Sequence, residues 1–439
     1  MKFTLLLAAL VGATFSNLQA EAPALIAQPN PAPPPMIQNV TRATTPVAVP
    51  VASEQAMRFY RSGNVLWCVR AVQGPLIPAL FLFTGFSARL RSWAERTGSK
   101  WYFAFALYWV AFAGLCYLIE LPLDYYRGFV RLHSYDLSNQ TFGKWFGDSL
   151  KNLGVLVAIG LAGGWIPFQL IKRSPRRWWL YLGLLYVPCS CMMLLIWPVM
   201  IDPLFNRFQP LQDQALEAKI LTLAARAGIE GGRVYEVDKS VDTKTVNAYV
   251  TGFLGSKRIV FWDTALRTLD ESELFAVLGH EMGHYVLGHI VQSIALSSVL
   301  VFVALYASHR WLGRISGRYQ ERFGIRAWSD FAALPLLILL TNLFALVFAP
   351  AELAFSRHQE HEADRFGLEL LHNNHAAATA LLKLQQHNLS NPRPGRIYTL
   401  LRASHPGIGE RIDFCNRYRP WEAGGPAGYD EYIRQRPAP

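Results

Sequence analysis

Six long apolar blocks constrain the fold of this 439-residue chain more than any other feature. They lie at 66–87, 101–123, 153–171, 178–200, 289–308 and 331–350. A helix of about 20 apolar residues crosses the hydrocarbon core of a bilayer. Pro75 and Pro78 interrupt the first block, and a membrane-spanning helix tolerates such residues. We therefore expect a multi-span helical bundle, with polar sections at 201–288 and 351–439.

Basic residues cluster in three alternate turns between these blocks. They are Arg89, Arg91, Arg96 and Lys100, then Lys172, Arg173, Arg176 and Arg177, then Arg310, Arg314, Arg318, Arg322 and Arg326. The positive-inside rule places such turns in the cytoplasm. Both polar sections then fall on the extracytoplasmic side of an inner (cell) membrane. Because the net charge of +11 is concentrated at the ends of the blocks, it indicates contact with the lipid bilayer and no nucleic-acid partner.

The N-terminus has the pattern of a secretory signal peptide at residues 1–20. Lys2 precedes a short apolar core, and Leu18-Gln19-Ala20 fits a cleavage site with a small residue at its end. The alternative is an uncleaved anchor, which would invert the orientation and conflict with the basic turns. Residues 21–62 begin with a Pro-rich, weakly charged stretch and predict a flexible extracytoplasmic tether. A four-span bundle at 63–200 and two further spans at 289–350 complete the predicted organisation.

The sequence His280-Glu281-Met282-Gly283-His284 lies in the first polar section. Residues 272–288 predict a helix with Ser272 as its N-cap. Two histidines four residues apart share one helix face and can bind one Zn²⁺. Glu281 lies at the edge of that face, where it can act as a general base toward a zinc-activated water.

A second cluster, Ser356 to Asp364, follows the sixth block and predicts the start of another helix. Glu360 and Asp364 are four residues apart, so one carboxylate could bind zinc while the other holds a ligand histidine. Three protein ligands and a water make the open site of a catalytic zinc. The spacing does not choose between these carboxylates and three competitors, which are His358, His361 and Glu362.

Several further segments carry a family resemblance that covers roughly residues 55–415. They are Leu121-Pro122-Leu123 with Tyr125-Tyr126-Arg127, Asn139-Gln140-Thr141, Ile201-Asp202-Pro203-Leu204-Phe205-Asn206, Asn247-Ala248-Tyr249 with Gly252, Lys257-Arg258-Ile259-Val260, Asp263-Thr264, Ser404-His405-Pro406 and Glu410-Arg411-Ile412. Together with His280–His284 and the Ser356–Asp364 cluster, they resemble the type I CAAX prenyl proteases. These are integral-membrane, gluzincin-like zinc endopeptidases, and this chain looks like a bacterial-type member.

The resemblance implies specific roles at matching positions. His280, His284 and Glu360 would bind one zinc ion per chain, and Glu281 would be the general base. Asp364 would be a second acidic residue, acting as a proton donor or orienting a ligand.

The resemblance also implies roles for two residues outside the metal cluster. His405 would stabilise the oxyanion of the tetrahedral intermediate, and its alternative is a helix-capping surface histidine. Asn247 would lie beside a strand that receives the substrate backbone, and its alternative is a turn residue. His289 is interpreted as a residue of the membrane interface.

We expect a mostly α fold, in which the bundle encloses a zincin-like peptidase section with a small β segment near 234–262. The chain departs from eukaryotic members of the family by having six spans where they have seven. The predicted function is hydrolysis of membrane-associated, misfolded or CAAX-like polypeptides. A zinc-bound scaffold is a rival that has no use for Glu281. A transporter is a second rival. It would need several ionisable residues within the spans, where the sequence offers mainly Glu120 near one span end.

Overall fold

The computed structural model describes residues 45–251, 257–315, 317–423 and 428–434. Within these residues, six helical segments are long and apolar enough to span a membrane. They are Glu54–Phe83, Trp101–Ser134, Phe142–Arg173, Trp178–Leu204, His289–Arg314 and Phe331–Leu371. The six-span prediction is confirmed, and the predicted signal peptide lies outside the described residues.

The N-terminal half is helical. Its helices are α1 (Glu54–Phe83), α2 (Phe86–Thr97), α3 (Trp101–Tyr125), α4 (Arg131–Ser134), α5 (Phe142–Gly163), α6 (Ile166–Arg173) and α7 (Trp178–Ile196). Turns of π-helix at Tyr126–Val130 and Trp197–Ile201 extend α3 and α7, and a 3₁₀ turn at Asp202–Leu204 follows.

The C-terminal half contains the predicted β segment between helices. Its strands are β1 (Phe208–Pro210), β2 (Arg233–Val237), β3 (Ala248–Thr251) and β4 (Arg258–Trp262). Its helices are α8 (Gln214–Arg226), α9 (Asp263–Thr268), α10 (Glu271–Val286), α11 (His289–Ile315), α12 (Arg318–Phe323), α13 (Leu334–Leu371), α14 (Asn374–His387), α15 (Arg396–Leu401) and α16 (Ile408–Arg417). Short 3₁₀ turns occur at Lys239–Val241, Phe331–Ala333 and Pro420–Ala423.

The four strands form one sheet in the order β1-β2-β4-β3. Strand β2 runs parallel to β4, while β1 and β3 are antiparallel to their neighbours. The register pairs Ala248 with Phe261 and Thr251 with Arg258. Among the described strands, β3 is therefore an edge strand that pairs with a neighbour on one side only.

The first helix begins earlier than its apolar block. Ser53 caps α1 by accepting a hydrogen bond from the Ala56 amide, so residues 54–62, which we assigned to the tether, are helical. The segment before α1 is also held in place. The backbone of Val47 exchanges two hydrogen bonds with the side chain of Asn416, each of 2.9 Å. The expectation of a freely flexible tether is thus wrong for this end of it.

The sixth block and the Ser356–Asp364 cluster lie on one helix, α13, where we expected two. Pro350 is inside α13 and does not end it. A proline removes one backbone hydrogen bond, and neighbouring helices can compensate for that loss in a membrane protein. The consequence is that Glu360 and Asp364 are rigidly joined to a membrane span.

The basic turns meet at one end of the bundle. Arg91 forms a buried ion pair with Asp330, and Arg326 pairs with Glu95 at 2.7 Å. The start of α7 joins this end, since Trp178 packs in one cluster with residues of α11 and α12. From Leu334 to Glu360, α13 rises roughly 40 Å. The His280 cluster is therefore at the opposite end from the basic turns.

Candidate metal centre and active site

The site forms where α10 crosses α13 on small residues. A side chain added at Gly283 would place its Cβ 3.0 Å from the Cα of Ala363. One added at Gly367 would lie 2.8 Å from the backbone nitrogen of His280. Only glycine allows so close an approach, which brings the histidines of α10 to the carboxylates of α13.

Helix α10 starts at a capping box. Asp270 accepts hydrogen bonds from the amides of Ser272 and Glu273, and the Glu273 carboxylate accepts one from the Asp270 amide. The predicted cap, Ser272, is instead inside the first turn. Asp270 is the better cap because its carboxylate accepts hydrogen bonds from two otherwise unpaired amides, while the Glu273 carboxylate accepts one from the Asp270 amide. This cap fixes the start of the helix that carries His280 and His284.

Three possible ligand atoms converge at the crossing. The Nε2 atoms of His280 and His284 are 3.1 Å apart. The Glu360 carboxylate lies 3.3 Å from His280 Nε2 and 3.4 Å from His284 Nε2. Among the described residues, this is the one group of three that could share a metal ion.

The donor set fits zinc. Tetrahedral zinc with bonds of about 2.0–2.2 Å separates its ligand atoms by roughly 3.3–3.6 Å. The two Nε2 atoms are 3.1 Å apart, and each lies 3.3–3.4 Å from one of the two Glu360 oxygens. Glu360 is also 5% exposed, and its Oε2 atom accepts no hydrogen bond. Arg411 Nη1 lies 3.5 Å from this oxygen, too far for a good hydrogen bond, and a metal cation would compensate the buried carboxylate.

Asp364 and Arg411 surround the back of His280. The Asp364 carboxylate lies 2.9 Å from His280 Nδ1. Arg411 donates to the same carboxylate through Nη2 at 2.7 Å and through Nε at 2.9 Å. Proton donation from Nδ1 to Asp364 leaves the Nε2 lone pair of His280 free for a metal.

These neighbours set the charge at the site. Burial and Arg411 both act to lower the pKa of His280, but the adjacent carboxylates of Asp364 and Glu360 outweigh them and raise it to about 10. Burial also raises the pKa of Glu281, against the opposing effect of His280 and His284. A glutamate with a raised pKa is suited to take and return a proton near neutral pH.

His289, which we interpreted as an interfacial residue, contacts the metal cluster from the start of the membrane helix α11. It is 3% exposed, and its Nδ1 atom is 2.9 Å from Nδ1 of His284. On its other side, Nε2 lies 3.5 Å from the carboxylate of Glu362, which also faces His358. Glu362 therefore lies between His289 and His358, while the ring of His361 packs at a tilt against the ring of Phe414. Of the competitors considered from the sequence, none joins the three-atom group.

Sequence reasoning missed the roles of Arg411 and His289. The motif Glu410-Arg411-Ile412 carries no functional prediction for Arg411, and the position of His289 at the start of an apolar block indicates the membrane interface. Both are brought to the site by packing between distant elements. The sequence held a signal for His289, since it lies five residues after His284 and Gly288, a residue type common just past helix ends, lies between them.

Glu281, Asn247 and His405 face one cavity of about 590 Å³. His405 places Nε2 3.1 Å from Oε1 of Glu360, and its Nδ1 atom lies 2.8 Å from the Ser404 hydroxyl. Asn247 is exposed immediately before the edge strand β3. The structure thus brings the residues given roles by the resemblance either to this cavity (Asn247, His280, Glu281, Asp364 and His405) or to the three-atom group (His280, His284 and Glu360).

Comparison with known proteins identifies the family. Residues 210–418 match the model of peptidase family M48, and residues 56–207 match the CAAX prenyl protease N-terminal model, described as five membrane helices. "Uncharacterized metalloprotease YhfN" of Bacillus subtilis is 37% identical over 338 residues, which cover 77% of this chain and 79% of that protein. The chain belongs to the CAAX prenyl protease family of M48 peptidases.

Two further relatives agree with this assignment. "CAAX prenyl protease 1" of Saccharomyces cerevisiae is 30% identical over 314 residues, which cover 68% of this chain and 69% of that protein. The crystal structure of S. mikatae Ste24p superimposes with a TM-score of 0.73 at 25% identity, covering 82% of this chain and 87% of that chain. This M48 family member is therefore a multi-pass membrane metalloprotease that hydrolyses peptide bonds.

Proposed function

We propose that this metalloprotease is a zinc endopeptidase that cleaves membrane-associated or misfolded polypeptides on the extracytoplasmic side of the cell membrane. CAAX-like peptides form a further substrate class, suggested by the names of its relatives. The observation that carries the proposal is the convergence of His280, His284 and Glu360 on one point.

Each residue of the cluster has a separate task in this proposal. His280 and His284, through Nε2, and Glu360 would hold one zinc ion. When bound, zinc supplies a Lewis acid and lowers the pKa of a water molecule. Asp364 holds the ring of His280 by accepting from Nδ1, and Arg411 fixes Asp364 from behind.

Glu281 would take the proton from the attacking water and pass it to the leaving amine. The pKa of Glu281, raised by burial, favours both transfers. His405 would donate a hydrogen bond to the oxyanion of the tetrahedral intermediate, because its Nε2 atom points at the metal cluster.

The edge strand β3 offers the means of binding an extended substrate. Its open side can pair with a peptide backbone, and Asn247 is placed at its start to add a side-chain hydrogen bond. The cavity is also lined by Phe59 and Tyr60 of the membrane helix α1, which supports substrates that are held at the membrane.

The mechanism is tested with protein purified in detergent and casein as an unfolded substrate. Glu281→Gln should retain zinc and lose cleavage by 10²- to 10⁴-fold, about the contribution of a general base. Glu271→Gln on the same helix is the control, because that exposed carboxylate forms a surface ion pair with Lys219 and lies outside the cavity lining. Equal cleavage by Glu281→Gln and the wild type would contradict the role of Glu281 as general base.

The orientation is tested separately with a reporter fused after residue 439. Alkaline phosphatase at this position should be active, since it folds outside the cytoplasm in the proposed topology. A fused green fluorescent protein that fluoresces in the cytoplasm would overturn the extracytoplasmic assignment.

A further inference from the structure

Two arginines, Arg131 and Arg402, line the same cavity as His280 and Glu281. In the described part of the chain, neither forms an ion pair with a carboxylate. This is unusual for cationic side chains in a cavity wall, because a desolvated charge is costly unless an opposite charge compensates it.

Arg131 is only 7% exposed and is held rigidly. Its Nε atom donates to the Ser62 hydroxyl at 3.0 Å, and Nη2 donates to the carbonyl of Phe59 at 2.6 Å. The guanidinium also lies 3.8 Å from the centre of the Phe59 ring. These contacts orient the group and leave part of its five-donor fork unused.

Arg402 is held in a similar way by neutral partners. Its Nη1 atom donates to the side chain of Asn64, and its guanidinium lies 4.8 Å from the centre of the Tyr398 ring. Burial lowers the pKa of Arg402, and no carboxylate contributes an opposing effect. The group nevertheless stays charged, because arginine is not deprotonated in proteins.

Gly63 shows how close the two guanidiniums are. A Cβ added at Gly63 would lie 3.2 Å from Nη2 of Arg131 and 3.8 Å from Nη2 of Arg402. Both cations therefore border one small space that has no side chain in it. Two like charges at this separation repel each other, and an anion placed between them would relieve the repulsion.

We propose that Arg131 and Arg402 form an anion subsite that binds a carboxylate of the substrate polypeptide. This inference rests on the proposed endopeptidase function. The carboxylate is either the C-terminus or an Asp or Glu side chain, and both match the planar fork of a guanidinium. A peptide is favoured over a lipid headgroup because the arginines share a cavity with Glu281. The subsite sets the distance between the bound carboxylate and the cleaved bond.

The test is cleavage-site profiling with a peptide mixture made from a digested proteome. One half of the mixture is amidated at its C-termini, which separates the terminal carboxylate from acidic side chains. Wild type, Arg402→Gln and Arg396→Gln are compared by mass spectrometry. Arg396 is the matched control, since it begins helix α15, which ends immediately before Arg402, but it is exposed and outside the cavity. Zinc content and thermal melting are measured on each variant.

We expect wild type and Arg396→Gln to cleave at a fixed spacing before a carboxylate, with at least about tenfold preference over neutral peptides. In Arg402→Gln the ratio of cleavage of carboxylate peptides to cleavage of neutral peptides should fall to near one, because KM rises for the carboxylate peptides alone. Arg131→Gln should reproduce the loss where its melting temperature shows that it folds. Cleavage by the wild type without any preference for carboxylate peptides would overturn the subsite. An equal loss of cleavage in Arg402→Gln for all peptides, which a lipid headgroup role requires, would also overturn it. Neither result would contradict the endopeptidase function. Absence of all cleavage by the wild type contradicts the endopeptidase and the subsite together.

Discussion

The arginines at the two ends of the catalytic cavity have different partners. At the metal end, Arg411 pairs with Asp364 at 2.7 Å and approaches Glu360 at 3.5 Å. At the other end, Arg131 and Arg402 are held by neutral oxygens and aromatic rings. The metal end is thus built to hold a cation in fixed geometry. The arginine end is built to receive an anion that arrives with the substrate.

The largest effect is expected at the metal end from removing one imidazole. His280→Ala should abolish both zinc binding and proteolysis, because two remaining ligands hold zinc poorly. Zinc is measured by mass spectrometry of the purified protein. His387→Ala, which removes an exposed histidine, is the control. Undiminished zinc in His280→Ala would remove the basis for the ligand assignment.

A second effect comes from the residue behind the ligand. Asp364→Asn should weaken zinc binding by about 10- to 100-fold, which is the typical cost of losing an outer partner of a ligand histidine. Arg411 would then face a neutral amide and lose its main ion pair. Competition with a chelator measures the affinity, and an unchanged value would show that Asp364 does not support the metal.

The helix crossing gives a third prediction. Gly367→Ala should cost about 1–3 kcal/mol in the free energy of unfolding, because the new methyl group lies 2.8 Å from the His280 nitrogen. Gly154→Ala is the control, since it has open space around it. Thermal unfolding compares the two variants. Equal melting temperatures would mean that the helices can separate without cost.

Acidity should weaken the metal end in a graded way. Without zinc, the pKa of His280 is raised to about 10, so at neutral pH the ion must displace a proton. Zinc binding releases this proton, so zinc affinity should fall about tenfold for each pH unit below neutrality if one proton is released. For the metal-free fold, stabilisation from His280 is full below pH 6.5 and is lost as the pH rises toward about 10. Zinc affinity that does not change between pH 8 and pH 6 would contradict this pKa.

The sequence predicted those features that depend on local patterns. The six spans follow from apolar blocks, and the pairing of His280 with His284 follows from helical spacing. Glu360 remained one of several candidates, because the continuity of α13 through Pro350 depends on packing with other helices. Arg411 could not be assigned, since it reaches Asp364 from a separate helix, α16. The glycines Gly283 and Gly367 could have indicated a close helix crossing, but the ligand spacing alone makes no use of them.

The proposed metal centre depends most on Glu360, the ligand supplied by a membrane span. The direct test is the zinc content of purified Glu360→Ala beside His358→Ala and His361→Ala, which alter the neighbouring histidines of the same helix. We predict that Glu360→Ala loses its zinc, while both histidine variants retain the wild-type amount. Wild-type zinc in Glu360→Ala, or its loss in either histidine variant, would contradict the proposed metal centre.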